Sequence, residues 1–293
     1  MLRCLSRIEL VCRDPNGLAA FYQAAFGSQK LVGPEHISSE ADASVTLQLG
    51  QQEIRLIGPR PIGRPYPAGV AGWSSLFQHI AIIVTDMASA CAHLSTILGW
   101  TPISTFGPQT LPAASGGVSA FKFRDPEGHP LELIAFAPGA TPVQWQRISN
   151  NGFLGIDHSA VSVSNTSRSI AFYESLGLHR SGGSLNIGRE QEKLDDVPDA
   201  VVEVTALIPE RSTPHVELLC YRGDFDRNTG PQAANDVTAT RLVFSVESRE
   251  LLDAMCRRHR DALLSGPVFA DSNVYCALLR DPDGHLISLE VEF

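Results

Sequence analysis

The chain has 293 residues, 43% hydrophobic and 19% charged, a globular composition with room for one large domain or two ordinary ones. A formal net charge of −9 without any Lys/Arg run argues against a nucleic-acid surface, and no stretch reaches the ~18 apolar residues of a membrane span. Cys4, Cys12, Cys91, Cys220, Cys256 and Cys276 are scattered without a CxxC pair, and no signal peptide is seen, so we expect reduced thiols in a cytoplasmic protein.

One pattern recurs four times along the chain: an apolar strand, an Asp/Asn/Ser turn, a short amphipathic helix, a Gly, then two or three strands. The first copy is RIELVCRD, LAAFYQAAFG, SVTLQLG and EIRLIG. The second is HIAIIVTD, MASACAHLSTILGW and VSAFKFRDPEGHPLELIAF. The third is HSAVSVSN, SRSIAFYESLGL, AVVEVTAL and HVELLCY. The fourth is TRLVFSVES, RELLDAMCRRHRDAL and NVYCALLRDPDGHLISLEVEF. Helical spacing is clearest at Leu18, Phe21, Tyr22 and Ala25, and at Ile170, Phe172, Tyr173 and Leu176. Gly27, Gly99 and Gly177 fall where helices are expected to stop.

Residues 58–72 carry four Pro and four Gly and read as a connector, as do 138–154 and 223–236. The expected fold class is therefore α+β, built from four βαβββ modules at 1–60, 74–138, 155–223 and 237–293. A lone module has one curved, open sheet and cannot bury its concave face. The modules are expected to pair into two curved barrel-like sheets.

Two histidine–glutamate couples stand out. His79 opens a strand in module two and Glu132 lies in that module's last strand; His158 and Glu217 repeat this in module three. Packed face to face, the two modules would offer two imidazoles and two carboxylates to a divalent ion. One such strand residue alone is usually a hydrogen-bonded core His or an edge Glu. Four at matched repeat positions point to a metal.

With His79 in HIAIIVTD, FYESLG in module three and DPEGHPLEL in module two, the chain resembles the vicinal oxygen chelate superfamily across nearly its whole length. That superfamily includes glyoxalase I, epimerases, drug-resistance proteins and extradiol dioxygenases. The resemblance implies one ligand position on the first strand and one on the last strand of each module. In module one these are Arg7 and Arg55, and in module four Arg241 and Ser288, with Glu290 two residues further on the same face. A full ligand set in one cavity requires module two to pair with three, and one with four.

The resemblance further implies one divalent ion (Zn, Ni, Co, Mn or Fe(II)) and a carboxylate, Glu132 or Glu217, that moves a proton beside it. The leading expectation is a lyase or isomerase acting on a small vicinal-oxygen substrate through a metal-bound enolate. An Fe(II) ring-cleaving dioxygenase is the alternative, and a ligand-sequestering resistance protein the second alternative. The chain completes its site alone, so monomer and homodimer both serve.

Other residues carry two readings each. His129 and His285 recur in the DPxGH turns, on the face opposite the ligand position, and read as turn structure. Arg7, Arg55 and Arg241 could bind an anion; the simpler reading pairs them with Glu9, Glu290 or Glu292 in a cavity without metal. Segment 183–198, with Asn186, Arg189, Gln191 and Lys193, reads as a polar loop, either an ordinary surface loop or one that closes on substrate.

Overall fold

The computed structural model describes residues 2–31, 43–146, 149, 151–211, 213–227, 230, 232–270 and 273–293. The connectors 138–154 and 223–236 lie partly outside the described residues. The chain begins with β1 (Leu2–Val11), α1 (Pro15–Phe26), β2 (Gln29–Lys30), β3 (Ala43–Leu49) and β4 (Gln52–Gly58). It continues with β5 (Gln78–Val84), α2 (Met87–Leu94), β6 (Thr101–Pro102), β7 (Gln109–Thr110), β8 (Ser119–Arg124) and β9 (Pro130–Ala135). Then come β10 (Phe153–Ser162), α3 (Thr166–Leu176), β11 (His179–Ile187), α4 (Arg189–Asp195), β12 (Val201–Ile208) and β13 (His215–Tyr221). It closes with β14 (Arg241–Val246), α5 (Arg249–Arg258), β15 (Leu263–Phe269), β16 (Val274–Arg280) and β17 (Leu286–Glu292).

The turn residues read from the sequence are helix caps. The side chains of Asp14, Asp86, Asn165 and Ser248 accept from the backbone N–H groups of Gly17, Ser89, Arg168 and Leu251 at 3.0, 2.8, 2.9 and 3.3 Å. Helices α1 and α3 end at Gly27 and Gly177 in the left-handed conformation. Helix α2 stops at Leu94, earlier than the Gly99 expected to end it. Its last carbonyls are taken by Ser95 Oγ, Thr96 Oγ1 and Trp100 Nε1, which donate to Ala92, His93 and Leu94 at 2.7, 2.7 and 2.9 Å.

Among the described residues the strands form two open sheets. One has eight strands in the order β15-β16-β17-β14-β1-β4-β3-β2. The other has nine, in the order β11-β12-β13-β10-β5-β9-β8-β6 with β7 beside β8. At their centres β1 pairs antiparallel with β14, and β5 with β10. Strand alternation divides the faces. Ile80, Ile82 and Val84 enter one large core with α1, α2, α3 and α5, whereas Ala81 and Ile83 point to the other side. That core joins the two sheets: Phe26 of α1 packs on Phe153 of β10, with ring centroids 5.6 Å apart.

The two turn histidines are also cross-braces. His129 Nε2 donates to the Val11 carbonyl at 2.9 Å and His285 Nε2 to that of Ser162 at 2.8 Å. The hydroxyls of Tyr22 and Tyr173 reach the Asp125 and Asp281 carboxylates of the same turns at 3.2 Å each. Among the described residues no helix is long and apolar enough to cross a membrane.

Candidate metal centre

Two rows of side chains cross the inner face of the nine-stranded sheet. Register partners on neighbouring strands share a face. The first row runs His215, His158, Ala81, Glu132 and Lys122 on β13, β10, β5, β9 and β8. The second runs Ala206, Glu217, Ala160 and His79 on β12, β13, β10 and β5. In each row an alanine separates an imidazole from a carboxylate. Ala81 and Ala160 are fully buried, and their single methyls leave space that a larger side chain would fill.

Three groups converge there. His79 Nε2 lies 2.9 Å from Glu132 Oε2; His158 Nε2 lies 3.9 Å from that oxygen and 3.5 Å from Glu217 Oε2. Ligand atoms held ~2.0–2.2 Å from one ion sit about 3–4 Å from each other. The His79–Glu132 contact has the length of a hydrogen bond without its alignment. Both ring nitrogens of His79 and Nε2 of His158 are buried with no hydrogen-bond partner. Buried polar atoms are rarely left so. Donors that aim at a common point rather than at one another fit an ion. His79, Glu132 and His158 form one candidate set with ligand atoms within 4.8 Å of one another; Glu217 falls outside it, with Oε1 3.5 Å from His215 Nε2.

A second candidate set, Asp157, His158 and His215, shares His158 through its other nitrogen. Here the geometry is that of ordinary hydrogen bonds. His158 Nδ1 donates to Asp157 Oδ2 at 3.1 Å, and Trp145 Nε1 donates to Asp157 Oδ1 at 3.0 Å. This set orients His158 and leaves its Nε2 for a ligand role.

Burial disfavours every charge at the site. Against it, Lys122, His79 and His158 hold the Glu132 carboxyl down to about 2. His158 and His215 hold Glu217 at about 2, with Asp157 opposing them. Glu217, Asp157 and Glu132 push His158 up to about 9. For His79 burial wins and its pKa falls. Both carboxylates and His79 are thus in ligand-competent forms, while His158 carries a proton that an ion must displace.

The cavity in front of this centre holds about 350 Å³. Leu111, Val118, Ile134, Phe136, Val202 and Leu219 form its apolar wall. Buried Lys122 reaches Asp195 Oδ1 at 2.7 Å, and Asp195 Oδ2 accepts from Gln191 Nε2 at 2.6 Å and from the Tyr221 hydroxyl at 2.7 Å. This network seats α4 over the cavity. Segment 183–198, expected as a loop, is therefore mostly strand β11 and helix α4. The helix is short and Leu194 is its one buried apolar residue, so it shows no periodicity. Asn186 and Gln191 line the cavity, whereas Arg189 is exposed and does not. Lys122, Asp157, Asp195, His215 and Tyr221 were not singled out from the sequence.

Neither a protein-family model nor a curated protein sequence matches the chain. Among solved structures, glyoxalase I from Zea mays aligns with 99% of this chain and 92% of its own, with a TM-score of 0.64 at 19% identity. A proposed dioxygenase from Bacillus subtilis aligns with 100% of this chain and 86% of its own, with a TM-score of 0.60 at 12% identity. The chain has the vicinal oxygen chelate fold. At these identities the likeness concerns the fold and not the reaction.

The other sheet of the vicinal oxygen chelate fold has a different inner face. Arg7 donates through one terminal nitrogen to both oxygens of Glu290, each at 2.7 Å, and through Nε to Glu9 at 3.0 Å. Arg241 and Arg55 stand 3.5 and 3.9 Å from Glu9. Ser288 donates to Glu290 Oε1 at 3.3 Å, and Glu292 is exposed. Among the described residues no His/Cys/Asp/Glu metal set occurs on this sheet.

Proposed function

We propose that the chain is a divalent-metal-dependent enzyme of the lyase or isomerase kind, acting on a small molecule with adjacent oxygens. The metal's protein ligands are His79, Glu132, His158 and Glu217, in the cavity shared by modules 74–138 and 155–223. The convergence of His79 Nε2, Glu132 Oε2 and His158 Nε2, with imidazole nitrogens left unpaired in a buried cavity, carries this reading.

Mixed N/O ligands suit Zn, Ni, Co, Mn or Fe(II). Such an ion, when bound, supplies polarisation of a substrate carbonyl and acidifies the adjacent C–H. The protein's residues supply the rest. Glu132, fixed between His79 and the Lys122 charge, stays a ligand. Glu217 sits at the edge of the set, half turned toward His215, and takes the substrate proton at Oε2. Asp157 holds the His158 ring in place. Helix α4 and the apolar wall exclude water. The cavity of about 350 Å³ admits a small substrate and lies near the lower end of the ~300–1,000 Å³ range of ligand pockets.

A second reading rests on one observation. The compact set is two histidines and one carboxylate, the ligand pattern of non-haem Fe(II) oxygenases, with Glu217 outside it. One experiment separates the two. Reconstituted protein is incubated in D2O with 2-oxoaldehyde–thiol adducts and 2-oxoacids, and C–H exchange is followed by NMR; the Fe(II) form is assayed for oxygen uptake with catechols. Exchange that requires Glu217 supports the first reading. Oxygen uptake with ring cleavage supports the second. Neither, at full metal loading, counts against both.

A further inference from the structure

Resting on the metal-dependent function proposed above, we infer that the substrate carries a hydrogen-bond donor beyond its two metal-binding oxygens. The donor is a hydroxyl or an N–H, and Gln191 Oε1 accepts it. Gln191 is thus a specificity-determining residue of the cavity.

Gln191 lies in α4, lines the cavity of about 350 Å³ in front of the metal centre and is 3% exposed. Only one end of its amide is used within the protein. Nε2 donates to Asp195 Oδ2 at 2.6 Å, whereas Oε1 is buried with no hydrogen-bond partner among the described residues. Native interiors seldom leave a side-chain acceptor unmet.

The amide is held this way round. Beside Lys122 the Asp195 carboxylate is an acceptor only, and it also takes Lys122 Nζ and the Tyr221 hydroxyl, each at 2.7 Å. Turning the amide over would set its oxygen against that carboxylate. Lys122 and Tyr221 pin Asp195, Asp195 pins the amide nitrogen, and the oxygen is the end left for a ligand.

The neighbouring lining is apolar. Leu194 of the same helix packs with Leu111, Ala120 and Val118, and Leu111, Val118 and Leu194 all line the cavity. A substrate body that covers this wall takes water away from the Gln191 amide. A ligand with a donor replaces the lost hydrogen bond; one without it leaves a buried acceptor stranded. A site built to meet a substrate hydroxyl therefore rejects the analogue without it more strongly than an apolar wall rejects a change of size.

The test is calorimetric titration of the zinc-loaded full chain with benzohydroxamate, whose adjacent oxygens chelate zinc. It is compared with its 3- and 4-hydroxy derivatives and with the matching methoxy derivatives, which cannot donate. One hydroxy isomer should bind at least ~10-fold more tightly than both benzohydroxamate and its methoxy counterpart. Gln191→Met should abolish that preference. In the parent chain, the NMR signal of the Gln191 side-chain amide should move further with that hydroxy ligand than with its methoxy counterpart, which covers the case in which Gln191→Met does not fold. No gain from either hydroxyl, an equal gain from methoxy, or a gain that survives Gln191→Met would overturn the inference. A chain that takes up no zinc contradicts the proposed metal centre instead. The comparison is then made on metal-free protein with phenol and anisole, where phenol should bind at least ~10-fold more tightly and equal binding would overturn the inference.

Discussion

His158 donates through Nδ1 to the Asp157 carboxylate, its neighbour in β10, at 3.1 Å. Neighbours in a regular strand point to opposite faces. Here β10 slips register against β5 between Ile156 and His158, so Asp157 is the extra residue of a bulge. The bulge lets a carboxylate and the imidazole it orients meet. The equivalent slip in β1, between Leu5 and Arg7, leaves Ser6 donating to the Val243 carbonyl at 3.0 Å instead.

Asp157→Asn keeps the shape and removes the charge that fixes the His158 ring. Metal affinity should fall ~10–100-fold with the fold intact. Competition against a chromogenic chelator measures it; an unchanged affinity would remove Asp157 from this role.

The two glutamates should separate by function. Glu132 is at the heart of the ligand set, its side chain 7% exposed, while Glu217 is 22% exposed at the edge. Glu132→Gln should purify with almost no metal. Glu217→Gln should retain much of its metal and lose ~10²–10⁴-fold in turnover, the scale of a general base. Full turnover in Glu217→Gln would place the base elsewhere.

The pH dependence of stability should invert with metal. In metal-free protein, burial opposes the His158 charge, but Glu217, Asp157 and Glu132 raise its pKa to about 9, against ~6.5 when unfolded. Its stabilisation is complete below pH ~6.5 and is lost as pH rises through about 9, at no more than ~1.4 kcal/mol per pH unit. Glu132 and Glu217, both at about 2, stabilise above pH ~4.3 and lose that contribution as pH falls through about 2. From these three groups metal-free stability should peak at roughly pH 4.5–6.5, while His79, whose pKa burial lowers, takes stability away on the acid side of that window. With metal, the His158 proton is displaced, so the stabilisation due to metal grows with pH. Urea midpoints in chelator and in zinc check both limbs.

Lys122→Met strands Asp195 in the interior beside Gln191 and Tyr221. Removing one partner of a buried pair costs about 3–5 kcal/mol. The double variant Lys122→Met/Asp195→Asn should recover most of it. Denaturant unfolding reads both; a single-variant loss under ~1 kcal/mol would show that the pair does not hold α4.

Local chemistry was legible in the sequence. Asp14, Asp86, Asn165 and Ser248 cap helices because capping needs only the next three residues. The four couple residues stood out because they repeat at matched positions. His215 was within reach of the same reasoning, since it precedes Glu217 by two in one strand and shares its face. Lys122 carried a similar signal: a charge flanked by Phe121 and Phe123 within a strand whose middle is otherwise apolar. Asp157 carried none, because a bulge has no marker in the residues around it. Nor did the contact of Asp195 with Lys122, which depends on how α4 crosses between strands distant in sequence.

The central claim is a metal held by His79, Glu132, His158 and Glu217. It is tested most directly by elemental analysis of protein purified without oxygen or chelator, beside the His79→Ala variant. The account predicts about one equivalent of Zn, Ni, Co, Mn or Fe per chain, with iron favouring the oxygenase reading, and its loss in the variant. No metal in the parent protein, even after reconstitution with each candidate ion, would contradict it.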